Sequence, residues 1–264
     1  GNARGGALGD CLAAVLDKAG YNAWREFYVN DAGNQIEKFG CSLEARYLQI
    51  FKGDEIEFPE DGYHGEDIKD LAKEYADLNG DSLVNVSAEE RKKALVDYAL
   101  PKNIKKMQAD MEKYKIFYDK WFFESELHKS GAVKAVVDLL TKKGLTYEKE
   151  GAVWYKNKEV LTQKLLKEGK SQKYIDNLEL KDDVLIRQNG NPTYFTADIA
   201  YHKNKFDRGF TTLIDVWGAD HHGHVMRMKG AMDAIGYDGD KLNVVLMQLV
   251  KLVKDGELVR MSKR

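Results

Sequence analysis

The feature that most constrains this chain is a change of hydrophobic period within one short stretch. Thr212-Leu213-Ile214-Asp215-Val216-Trp217 reads as a β-strand and Gly218-Ala219-Asp220 as a turn. A helix-compatible segment follows through Met228 and Lys229, with histidines at 221, 222 and 224. A strand that hands over to a helix through Gly-x-Asp is the local unit of an open α/β sheet. Ligands bind beyond the carboxyl ends of such strands, where glycine lets backbone approach a ligand closely. Asp220 suits paired ribose hydroxyls, because a carboxylate accepts from two donors. Alone, the stretch reads more simply as a turn before a surface helix, so its neighbours must decide.

Residues Leu8 to Ala19 carry apolar side chains at helical spacing, with Gly20 as a stop, and Trp24 to Val29 reads as a strand. A turn at residues 30–34 leads into a helix through Gln35 to about Phe51. This order suits the first half of a doubly wound fold, placed at residues 1–51. From Lys52 the texture becomes charged and helical, as in an insertion. Helices are expected after the FPEDGYHGEDI loop, over Arg91–Leu100 and over Ile104–Tyr114, with a break at Pro101. Ile116–Phe123 reads as a buried strand, Ser130–Gly144 as a helix, and Tyr147–Tyr155 as a hairpin turning at Glu150-Gly151. The lysine-rich stretch 156–181 reads as helix plus loop with a solvated face, closing an insertion and connecting region over residues 52–180. Val184–Arg187 and Thr193–Phe195 flank an Asn-Gly turn, so a second hairpin is expected there. Residues 181–264 form the second half, with an apolar run at Asn243–Val253, a turn at Asp255-Gly256 and a polar RMSKR end.

Composition narrows the function classes. The 264 residues are 43% apolar, enough for a sizeable core, and 32% charged. No apolar run is long enough to cross a membrane and no signal peptide is visible, so the expected location is the cytoplasm. Cys11 and Cys41 lack metal-ligand spacing and are expected to be reduced. A net charge of −2 gives no global support for nucleic-acid binding, so any such contact must be local. Both ends read as cut, and the expectation is a fragment of a longer protein.

Three ligand-type segments line up. Gly1 to Asp10 puts glycine-rich backbone at a helix N-terminus, where unpaired N–H groups suit phosphate. The Gly-x-Asp turn is the second, and Arg260-Met261-Ser262-Lys263-Arg264 the third, two basic residues and a serine suited to a polyphosphate. With these, the strings GNARGGALGD, REFYVNDAGNQI, DGYHGEDI, WFFESELHKSG, GNPTYFTADIAYHKNKFDRGF, WGADHHGHVMRMKGAMDAIGYD and GELVRMSKR resemble the catalytic domain of class I aminoacyl-tRNA synthetases, and more narrowly the arginyl-tRNA synthetases. The resemblance implies an α/β protein, a class I synthetase Rossmann-like nucleotide-binding fold with a mostly helical insertion. It implies activation of L-arginine by ATP, with Mg2+, to arginyl-adenylate and transfer to tRNA(Arg), by a monomer. It assigns phosphate contacts and catalysis to Lys263, Ser262 and Asn2, and ATP binding to Gly1, Asn2, Gly218, Asp220, His221, His224, Met261 and Lys263. Arginine falls to Tyr194 and Asp198, four apart on one helix face, with Asp31 and Gln35 as further candidates. A carboxylate matches a planar guanidinium through two parallel hydrogen bonds.

The sequence also departs from that family. Only Gly1-Asn2 remains of the first nucleotide motif, Arg260 stands where a lysine is usual, and residues 157–180 match no family pattern. The tRNA-contacting and anticodon-binding domains have no counterpart here, so the chain alone is expected not to charge tRNA at a useful rate. Two other readings stand beside this one. Asp220-His221-His222 also spells the motif of DHH-type metal-dependent phosphoesterases, although no upstream Asp-x-Asp cluster accompanies it and no metal ligands are assigned. A non-catalytic nucleotide- or protein-binding fragment is the other.

Overall fold

Apolar residues at a period near 3.6 dominate the chain, and helices follow wherever they do. The structure, a computed structural model, describes residues 2–53, 55–248 and 250–259 and is a mixed α/β arrangement of two compact units. Contacts divide the chain after Phe123 and after Leu249.

The first unit contains α1 (Asn2–Lys18), β1 (Glu26–Val29), α2 (Asn34–Lys52), α3 (Glu66–Asn79), α4 (Ala88–Lys113) and β2 (Lys120–Phe123). Gly20, at φ 91°, takes the left-handed conformation after α1 that only glycine adopts without strain. β1 and β2 are a parallel pair in register from Glu26 opposite Lys120 to Val29 opposite Phe123. Parallel strands need a long crossover, and here it is the α2–α4 layer. That layer holds the core of the unit: Phe39, Leu43, Tyr47, Ile68, Leu71, Ala72, Leu95 and Ala99. Arg91 is buried within it, donating to the carbonyls of Leu83 and Val86 at 2.9 and 2.8 Å and to Glu44 Oε1 at 3.0 Å. Ser87 caps α4 by accepting from the Glu90 N–H at 3.2 Å. The expected break at Pro101 is absent, for α4 runs through it. The ring forfeits one helical hydrogen bond, and burial of Leu95 and Ala99 in the preceding turns offsets that loss. The antiparallel pair β8 (Leu252–Lys254) and β9 (Glu257–Val259) turns through Asp255 and Gly256, both at positive φ, and belongs to this unit.

The second unit contains α5 (Glu124–Lys129), α6 (Ala132–Lys142), β3 (Thr146–Lys149), β4 (Ala152–Tyr155), α7 (Asn157–Lys167), α8 (Gln172–Asp176), β5 (Asp183–Ile186), α9 (Tyr194–Asp207), β6 (Leu213–Gly218), α10 (His222–Ile235) and β7 (Leu242–Met247). β3, β4 and β5 form an antiparallel sheet, with the expected turn at Glu150-Gly151. β6 and β7 are parallel, from Leu213 opposite Leu242 to Gly218 opposite Met247. The second hairpin is cut short: the Asn-Gly turn closes, with the Gly190 N–H on the Arg187 carbonyl at 2.8 Å and the Arg187 N–H on the Asn191 carbonyl at 2.9 Å, but no second strand extends from it. One bridge joins Ile186 and Pro192, and α9 starts at Tyr194. The reason is threonine chemistry: Thr193 and Thr196 hydroxyls donate to the carbonyls of Val184 and Leu185, both at 2.7 Å. These bonds pin the start of the helix on β5 where a partner strand was expected. α10 packs against α6, α7 and α9, burying Met228, Ala231 and Met232. Among the described residues the hydrogen-bonded sheets are β1-β2, β3-β4-β5, β6-β7 and β8-β9.

Candidate ligand site on helices α9 and α10

α9 places Tyr194 and Asp198 one turn apart on one face. Tyr194 is 42% exposed, and the Asp198 side chain is 32% exposed. Asp198 is not a solvated surface carboxylate. Its Oδ2 lies 2.9 Å from Nε2 of His224, in the first turn of α10. His224 is packed between the rings of Phe195, at 5.6 Å, and Trp217, at 5.3 Å. Its Nδ1 lies 3.0 Å from Nη2 of Arg227, one turn on. Arg227 bonds in turn to Oδ1 of Asp183 on β5 and stands 5.4 Å over the Phe195 ring. The result is a four-member line, Asp183–Arg227–His224–Asp198, across β5, α9 and α10. Burial pushes the Asp183 carboxyl above its usual range, outweighing Arg227.

Behind it, Asp215 on β6 is reached by two donors from α9. His202 Nε2 lies 2.5 Å from Oδ2, and Lys205 Nζ lies 2.7 Å from Oδ1. The His202 Nδ1 lies 2.7 Å from the Asp198 carbonyl. A carboxylate and a carbonyl only accept, so both ring nitrogens are placed to donate, the hydrogen-bond pattern of an imidazolium. Burial alone would raise the Asp215 carboxyl, but Lys205 and His202 outweigh it and hold it well below the usual carboxylate range.

The other expected residues divide into three sets. Gly218 ends β6 with φ −67° and ψ 150°, ordinary extended backbone, so conformation does not demand a glycine there. Asp220 and His221 form a short 3-10 turn, both more than half exposed and 3.9 Å apart. Asp31 and Gln35 lie in the first unit. Asp31 is in the turn after β1, its N–H bonded to the Val29 carbonyl at 3.0 Å. Gln35 lines a shallow pocket of about 120 Å³ with Asn30, Ile36, Phe39, Tyr63, Leu100 and Asn103. Gly1, Met261, Ser262 and Lys263 lie outside the described residues, and Asn2 is described only as the first residue of α1. Among the described residues no group of three or more His, Cys, Asp or Glu is placed to hold one metal ion, and nothing supports the phosphoesterase reading. No described helix is long and apolar enough to cross a membrane.

Sequence reasoning missed Arg227, Asp183, Lys205 and Asp215. Asp215 carried a signal, since a carboxylate inside an apolar strand must find a cation. His224 and Arg227, and likewise His202 and Lys205, are at i, i+3, the spacing of helix neighbours.

Comparison with known proteins follows from this geometry. No family model matches the chain. The chain is 57% identical over 266 aligned residues to the arginine–tRNA ligase of Ruminiclostridium cellulolyticum and 59% identical over 265 to that of Caldanaerobacter subterraneus. In each case all of this chain is covered and 44% of the relative, so the chain spans less than half the length of the curated relatives it matches. A Campylobacter jejuni crystal structure assigned as an arginyl-tRNA synthetase superposes with a TM-score of 0.79 at 37% identity, over 99% of this chain and 54% of that one. The Thermus thermophilus arginyl-tRNA synthetase superposes at 0.58 and 18% identity over 92% of this chain and 44% of that one, a likeness of fold alone. Over its whole length the chain corresponds to a segment of the arginine–tRNA ligases.

Proposed function

We propose that this chain carries the arginine-selecting and nucleotide-binding part of an arginine–tRNA ligase. In that reaction the carboxylate of L-arginine attacks the α-phosphate of ATP, giving arginyl-adenylate and pyrophosphate. The arginyl group then passes to the terminal ribose of tRNA(Arg). No protein nucleophile is required; the protein positions the reactants and stabilises phosphoryl charge. Magnesium enters with ATP as part of the substrate. The observation that carries this reading is Asp198: in a chain related throughout to these ligases, it is a partly exposed carboxylate held at Oδ2 by His224. A guanidinium stays charged at any pH the protein meets, so its pocket must supply an anion. Asp198 is that anion in this reading. Its Oδ2 keeps a second lone pair beside the His224 bond and its Oδ1 has no hydrogen bond among the described residues, enough for the two parallel bonds of a guanidinium. Tyr194 adds a hydroxyl one turn away; Asp31 and Gln35 remain arginine candidates by family resemblance alone.

For the nucleotide, Gly218 and Asp220 take the ribose, and His221, exposed beside Trp217, lines the base or phosphates. Lys263, Ser262, Met261, Gly1 and Asn2 are the candidates for the phosphates by family resemblance. His224 is a candidate for the nucleotide as well; the contact of its Nε2 with Asp198 supports reading it also with the amino acid. In this reading the mixed α/β chain belongs to a Rossmann-like nucleotide-binding fold. The test is ATP–pyrophosphate exchange by the full-length protein with tRNA present. Exchange that depends on arginine and not on lysine supports the proposal. A protein that binds ATP but shows no arginine-dependent exchange would instead favour the non-catalytic binding reading.

A further inference from the structure

We infer that Arg227 is a positioning residue for the Asp198 carboxylate, acting through a fixed tautomer of His224; the inference rests on the reading of Asp198 as the guanidinium partner. The argument is one of donors and acceptors. A guanidinium has five N–H donors and no acceptor. With Arg227 Nη2 at 3.0 Å, Nδ1 of His224 must accept, so it carries no proton. The ring proton of the neutral imidazole then sits on Nε2, aimed at Asp198 Oδ2 at 2.9 Å. The ring has little freedom to choose otherwise. Its side chain is 11% exposed, and Phe195 and Trp217 lie against it. Arg227 is itself placed by Asp183 on β5 and by the Phe195 ring. The line therefore transmits orientation from β5 to the one carboxylate proposed to choose the substrate.

Remove the guanidinium and two things change. Nδ1 becomes free to hold a proton, so His224 gains access to the other tautomer and to the imidazolium. In the Nδ1–H tautomer Nε2 is an acceptor facing an acceptor, and Asp198 loses the bond that orients it. The Arg227→Met variant keeps the stem and its packing but not the donors. The Arg227→Lys variant retains one donor for Nδ1 and should rescue.

Two measurements test this. The first is ring-nitrogen NMR of the full chain labelled in its six histidines, with His224→Gln to assign the signal. We expect an unprotonated Nδ1 and a protonated Nε2, lost in Arg227→Met and kept in Arg227→Lys. A protonated Nδ1 in the unaltered chain, or an Arg227→Met spectrum like the original, would overturn the inference. The second is exchange kinetics of the full-length protein with tRNA. Arg227→Met should raise the arginine KM roughly tenfold, the weight of one hydrogen bond to a charged group. The ATP KM should hold, and the Asp198→Asn/Arg227→Met double variant should be no worse than Asp198→Asn alone. Effects that add in full would sink the relay. If Asp198→Asn disturbs arginine but Arg227→Met does not, the inference fails and the functional reading stands. If Asp198→Asn itself leaves arginine untouched, both fail, whatever tautomer the spectrum shows.

Discussion

Replacing Asp215 by asparagine is the most exacting probe of the second unit. The substitution keeps the shape but removes the negative charge that His202 and Lys205 share at 2.5 and 2.7 Å. His202 is 2% exposed and Lys205 9%, so neither donor can be solvated in place. One amide hydrogen would also point at one of them, a donor facing a donor. Removing one partner of a buried ion pair costs about 3–5 kcal/mol, against a total stability of about 5–15 kcal/mol for a domain. The chain has two compact units, so a single unfolding midpoint is not a sound readout. Hydrogen exchange resolved by peptide is, because it reads α9 and β6 directly. We expect protection over residues 194–207 and 213–218 to fall by the equivalent of about 3–5 kcal/mol, with α2–α4 unchanged.

The pH dependence has a definite sign. The folded Asp215 carboxyl titrates below its unfolded value of about 3.9. Its contribution is therefore complete above that unfolded value and is lost as pH falls through 4 toward the folded value. The difference between the unaltered chain and Asp215→Asn should be present at neutral pH and shrink in acid below about pH 4. A loss below about 1 kcal/mol, or a difference that does not shrink in acid, would show that the triad behaves as a solvated surface cluster.

Three further outcomes are expected. In the full-length protein, Asp198→Asn should weaken arginine by about 2–5 kcal/mol, roughly thirtyfold to several thousandfold in KM, and leave the ATP KM near its original value; exchange kinetics that show equal discrimination against lysine would reduce Asp198 to a structural carboxylate. Gly239→Ala would place a Cβ 2.3 Å from the Lys229 carbonyl oxygen, a backbone atom that cannot step aside, so a loss of about 1–3 kcal/mol is expected from urea unfolding followed at α10. Tyr47→Phe removes a hydroxyl that donates to the Gly80 carbonyl at 2.8 Å and accepts from the buried Leu83 N–H at 3.1 Å; leaving that N–H unpaired should cost the first unit about 1–3 kcal/mol, read by exchange over α2–α4.

What was legible in the sequence, and what was not, follows from the range of the forces involved. The β6–turn–α10 unit was legible because period, glycine and helix signal all lie within about twenty residues. The same holds for the β3-β4 hairpin, whose turn needs only Glu150 and Gly151 in positive φ. Pro101 misled because the local rule counts a missing hydrogen bond, whereas the burial that carries α4 past it comes from α2, some fifty residues earlier. Thr193 misled for a related reason. A β-branched residue after an Asn-Gly turn favours a strand, yet its hydroxyl spends its proton on the Val184 carbonyl and starts a helix.

The site divides along the same line. Asp198 was reachable because its matching string, TYFTADIAYH, is contiguous. Its partners were not, since His224 and Arg227 lie on α10 and Asp183 on β5, and a single sequence holds no record of which distant donors meet. Chemistry narrows the search even so. Asp215 in an apolar strand and Asp183 at the head of β5 are acids whose burial obliges a cation nearby, and basic groups at i, i+3 on a neighbouring helix are the shortest supply. Applied to this chain, that rule pairs Asp215 with His202 and Lys205, and Asp183 with Arg227. Each pair then meets Asp198 from a different side: His202 at its carbonyl, Arg227 through His224 at its carboxylate. Two largely buried acids that take no part in the proposed chemistry thus fix both the backbone and the side chain of the residue proposed to choose the substrate.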